Sequence, residues 1–145
     1  MKINLKNGID KLIFGMKQKD VTAIYGKPNK EYKDEDDNVI LVYNNLKIRM
    51  TFYKDEDLRL GYLVASGSDL DLFGSKIMYR KITDVKKDIA QKGITKFTQE
   101  EFDTFENYFN EENWIIFQTE FDEVVKFEIG AIINNKDEFE WKFKK

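Results

Sequence analysis

No cysteine and no histidine occur among the 145 residues. The first absence excludes disulfides, a thiol nucleophile and thiolate-held zinc or iron–sulfur centres. The second removes the commonest general base, the commonest metal ligand and every Ser-His or Cys-His pair. Long apolar runs are missing too. Leu12-Ile13-Phe14 falls well short of the roughly 7–15 residues of a secretory core segment or the ~20 of a spanning helix. Arginine is scarce (Arg49, Arg59 and Arg80), and the net charge is −3, so neither a nucleic-acid nor a membrane partner is expected. These absences predict a non-enzymatic, cytoplasmic chain without cofactor or metal, whose function lies in binding.

What is present is apolar and charged in nearly equal measure, 41% and 35%. That composition suits one domain, 1–145, with a core of its own. The charge is unevenly spread. Residues 1–73 carry 12 basic and 12 acidic side chains, and residues 74–99 carry seven basic and two acidic. Residues 100–140 carry thirteen acidic side chains against Lys126 and Lys136, a net charge of −11. Such a run reads either as a solvated face or as a field that steers and docks a cationic protein.

Two halves, 8–73 and 74–143, look alike. Gly8–Met16 leads to Asp20-Val21, then Gly26 and Pro28; Gly74–Tyr79 leads to Asp84-Val85, then Gly93. Glycine just past a helix supplies a left-handed cap, so short helices are predicted at 17–25 and 84–92. Strand texture follows each. Leu46, Ile48, Met50 and Phe52 alternate with polar residues, as do Val125, Phe127 and Ile129, and Phe139, Trp141 and Phe143. Leu58, Leu60, Tyr62 and Val64 form a further alternating set, while Val39–Tyr43 and Trp114–Phe117 are continuous apolar runs. The connectors Lys54–Asp57 and Glu120–Glu123 make hairpins of their flanking strands.

The predicted fold is therefore α+β: two helix-plus-antiparallel-meander repeats forming one extended sheet, with helices on one face. The other face would be lined by Lys47, Arg49, Tyr53, Arg59 and Leu63, and by Trp114, Ile116, Gln118, Lys126, Glu128, Glu138 and Glu140. Gly61 and Gly130 fall on the polar parity, where a missing side chain permits close approach or a bend.

Leu12…Gly15-Met16, Val21 and Gly26-Lys27-Pro28 resemble the opening of the small domains of the outer-membrane assembly lipoprotein family. Two such units in tandem are similar to the β-lactamase inhibitory protein family. That resemblance implies a long sheet used as a protein-docking surface. An acidic chain of this style also resembles bacterial toxin immunity proteins, which implies a partner in a cationic toxin domain.

Catalytic and metal motifs do not compete. A calcium loop beginning at Asp34 needs Gly and Glu where Val39 and Asn45 stand. Phosphate-cradling glycine motifs are absent, and no carboxylate pair is singled out for glycoside chemistry. The predicted partner-binding residues are Glu101, Asp103, Glu106, Tyr108, Trp114, Glu120, Asp122, Glu128, Glu138 and Glu140. Their carboxylates would pair with toxin cations around an aromatic centre. The rival readings are an assembly module binding an extended peptide along a sheet edge at 138–143, and a small-ligand binder with an apolar cavity.

Overall fold

The computed structural model describes residues 1–144. The period-two apolar pattern builds one eight-stranded antiparallel sheet. Chain order begins with the two-residue strands β1 (Ile3–Asn4), β2 (Gly8–Ile9) and β3 (Leu12–Ile13), which form a small sheet of their own. Helix α1 (Gln18–Tyr25) precedes β4 (Lys30–Lys33), β5 (Val39–Tyr43), β6 (Ile48–Tyr53) and β7 (Arg59–Ala65). A short hairpin, β8 (Asp71–Leu72) and β9 (Ser75–Lys76), leads to α2 (Ile82–Ala90). The last strands are β10 (Thr98–Glu101), β11 (Glu106–Asn110), β12 (Ile115–Glu120) and β13 (Glu123–Gly130). Their order in the large sheet is β10-β11-β12-β13-β7-β6-β5-β4, so β10 and β4 are its two free edges.

One face of this sheet is the core face. Leu41, Met50, Phe52, Leu63, Phe117, Phe127 and Ile129 are all buried there. Val21 from α1 and Ile82, Val85 and Ile89 from α2 join the same cluster. Burial of each large apolar side chain stabilises by roughly 1.5–3 kcal/mol, and this is the main term holding the sheet.

The α+β tandem-repeat expectation is corrected. The molecule is mostly β, and its helices have only eight and nine residues, with one and three buried side chains. Segments that lacked a periodic signature, 1–13 and 71–76, are also extended and form two further small sheets. The elements before the two helices differ, being three-stranded in one case and two-stranded in the other. Among the described residues, those after Gly130 add no strand to the large sheet. The alternation of Phe139, Trp141 and Phe143 arises instead from a strap. Phe139 stacks on Trp141 at 4.8 Å and contacts Tyr53 at 5.6 Å, and the Lys142 and Phe143 N–H groups donate to the Phe14 carbonyl.

Two bulges set which side chains face the core. Register shifts between Thr51 and Phe52, where Thr51 opposes Tyr62 and Phe52 opposes Leu60, leaving Gly61 as the extra residue. A second shift leaves Val125 extra, because Gln118 opposes Lys126 and Thr119 opposes Val124. Each extra residue reverses the parity of its strand. Hence Leu63, expected on the polar face, is fully buried, and Val124 rather than Val125 enters the core.

Candidate protein-docking surface

The β10–β11 and β12–β13 hairpins turn at the same end of the sheet. Their tips form a shallow cleft of about 540 Å³ lined by Phe102–Glu106 and Thr119–Asp122. Phe102 and Phe105 stack with ring centroids 4.6 Å apart, held by a 2.9 Å bond from the Phe102 N–H to the Phe105 carbonyl. Beside them Phe121 is 97% exposed.

The β12–β13 tip is a two-residue turn. Glu120 pairs with Glu123, and the central residues Phe121 and Asp122 both have positive φ, 50° and 66°. Turns with two left-handed central residues favour Asn-Gly or Asp-Gly. Phenylalanine there gains no burial and strains the backbone, so nothing in the folded chain accounts for it.

Carboxylates surround these rings. Gln99 donates to Glu106 at 2.5 Å, and the Tyr108 hydroxyl to the same Glu106 oxygen at 3.4 Å. Burial pushes the Tyr108 phenol above its usual pKa, and the nearby negative charges of Glu106, Asp122 and Glu101 push it further. Of these three acids, Glu106 is the one in hydrogen-bond contact with the buried tyrosine; Asp122 and Glu101 act on it through their charge. Among the described residues, Glu140 alone of the thirteen acids at 100–140 makes an ion pair, with Lys142 at 3.9 Å. Among the described residues no ion pair joins the hairpin-tip carboxylates to the preceding lysines, although the backbone of Arg80–Ile82 pairs with Asp122–Val124. Lys86 instead lies over Phe97 and Tyr108 at 5.3 Å from each ring.

The ten predicted site residues therefore divide. Glu101, Asp103, Glu106, Tyr108, Glu120 and Asp122 gather at the hairpin tips. Trp114 sits at the opposite end of β12, edge-on to Phe109 at 5.0 Å. Glu128 lies in the middle of the non-core face, where Tyr62 donates to it at 2.5 Å. Glu138 and Glu140 belong to the C-terminal strap, where the Glu138 N–H donates to Asn134 Oδ1. Phe102, Phe105 and Phe121 stand outside the predicted set; their signal in the sequence is Phe121 between two acids in a connector too short to bury it. The segment 138–143 is no edge strand, so an edge-binding reading has to move to β4 or β10. Among the described residues no group of three or more potential ligands is placed to hold a metal. Among the described residues no helix is long and apolar enough to cross a membrane.

Comparison with known proteins gives a likeness of fold. An extracellular protein containing a SCP domain from Bacillus anthracis str. Ames matches with a TM-score of 0.52 at 13% identity. The match covers 80% of this chain and 43% of that one. A cysteine-rich secretory protein from Staphylococcus aureus subsp. aureus Mu50 matches with a TM-score of 0.49 at 16% identity, covering 81% and 42% of the two chains. The chain thus spans less than half the length of either neighbour. No family model and no curated protein matches.

Proposed function

We propose that this chain is an inhibitory binding protein of the bacterial immunity type, which covers the active surface of a cationic toxin domain in the cytoplasm. The observation that carries the reading is Phe121, 97% exposed at the tip of an acidic hairpin. A large exposed aromatic ringed by unpaired carboxylates matches the layout of an interface, an apolar anchor within a polar rim. The carboxylates draw the partner in and reject anionic competitors. Phe121, Phe102 and Phe105 supply the apolar contact once water is expelled. Inhibition follows by occlusion: lysines and arginines that a nuclease uses for phosphate would be held by Asp103, Glu120 and Asp122. The partner is a protein rather than a nucleic acid, because the same field repels phosphate.

The test is co-expression with basic polypeptides encoded by adjacent reading frames. The expected result is growth rescue and co-purification with one of them, both lost in Phe121→Ala/Asp103→Asn/Asp122→Asn. Rescue that survives these changes, or a chain recovered outside the cell, contradicts the proposal.

A further inference from the structure

At the opposite edge of the sheet, charge is reversed. A groove of about 580 Å³ on the non-core face is lined by Lys30, Lys47, Arg49 and Lys126, with Tyr32, Val42 and Val64 among its apolar surface. No carboxylate lines it. Among the described residues none of these four cations makes an ion pair. Four unpaired cations on one concavity are unexpected in a chain of net charge −3.

The groove borders a free strand edge. All four residues of β4, Lys30–Lys33, are exposed, and β4 pairs only with β5. Lys30 and Tyr32 line the groove, while Glu31, of opposite parity, does not. On the non-core face, Glu128 is cross-strand to Val64 and accepts the Tyr62 hydroxyl.

We propose that this groove, with the β4 edge, binds an acidic peptide segment in extended form. The unpaired backbone of β4 offers the donors and acceptors of one more antiparallel strand. An added strand would place every second side chain above the non-core face, beside Lys30 and Tyr32. Carboxylates at those positions meet Lys30 and face the longer-range field of Lys47 and Arg49, and apolar atoms meet Val42 and the Tyr32 ring; at about 4.8 Å per strand, Val64 and Lys126 lie too far along the sheet for that strand to touch. The lysines also make the edge selective, since they repel basic strands. A free edge distinguishes a peptide from a nucleic acid, whose sugar–phosphate backbone has no amide ladder to pair with it. This site is separate from the acidic hairpin tips, and neither reading requires the other.

The probe is a fluorescein-labelled peptide of about eight alternating Glu and Val residues, a normal strand length, titrated by fluorescence anisotropy. Saturable binding is expected, weakened about tenfold or more in Lys30→Glu/Arg49→Glu. Asp103→Asn/Asp122→Asn, at the other end of the sheet, is expected to leave it unchanged. N-methylation of alternate peptide nitrogens should weaken it to a similar extent by removing edge hydrogen bonds. Circular dichroism checks that both variants are folded; the substituted residues are exposed. The proposal is overturned by no saturation at about 1 mM peptide, by equal binding of an oligothymidylate of the same charge, or by indifference to N-methylation.

Discussion

The indole of Trp114 lies directly over the bare Cα of Gly130. A methyl group added there would meet Trp114 Cδ1 at 2.4 Å and Tyr62 Cδ1 at 3.0 Å. The same arrangement recurs on the neighbouring strand, where a methyl on Gly61 would meet the Tyr53 ring at 2.2 Å. Both glycines let an aromatic ring close over the non-core face of the sheet. Gly130→Ala should therefore destabilise by about 1–3 kcal/mol through overpacking. In a Trp114→Ala background the same change should cost less than half as much, because the clashing ring is gone. Urea denaturation of the four proteins measures this; equal costs in both backgrounds would contradict it.

Alkaline pH should unfold the protein through its tyrosines. Burial pushes Tyr25 up to about 12, helped by its hydroxyl donating to Asp10 at 2.7 Å. Tyr62 is raised further by burial and by Glu128. The folded state favours the neutral phenol, whose unfolded pKa is about 10. Below that pH the stabilisation is fully present; it is lost as pH rises through the folded values. Denaturation midpoints should stay flat from about pH 7 to 9.5 and fall between about 10 and 12. Tyr25→Phe should remove part of that slope, and an unchanged slope would rule Tyr25 out as a source.

Phe121→Asn/Asp122→Gly installs the pair that the β12–β13 turn prefers. Stability should rise by about 0.5–1 kcal/mol. Capture of the cationic partner should fall at the same time, since the exposed anchor is gone. A loss of stability would show that Phe121 has a structural role that its exposure does not reveal.

The residues that alternate cleanly were the legible ones. Ile48, Met50 and Phe52 point to the core as their pattern required, and Val21, Val85 and Ile89 mark helices close to the predicted bounds. The two bulges left no composition signal, so Leu63 and Val124 were assigned by a parity that the chain reverses at Gly61 and Val125. Edge strands β4 and β10 have every residue exposed, so burial imposes no period on them. Phe139, Trp141 and Phe143 alternate because a strap packs against rings, not because a ladder pairs there. The acidic run was visible at once. That only part of it meets Phe102, Phe105 and Phe121 depends on which hairpins turn at the same end, which charge counting does not encode.

The most direct measurement is the association rate of this chain with the basic domain that co-purifies with it, by stopped flow at about 0.05 and 0.5 M salt. Steering by the hairpin-tip carboxylates predicts an on-rate that falls about tenfold or more at the higher salt, and a similar loss at low salt in Asp103→Asn/Glu120→Gln/Asp122→Asn. An on-rate indifferent to both salt and neutralisation would contradict the account.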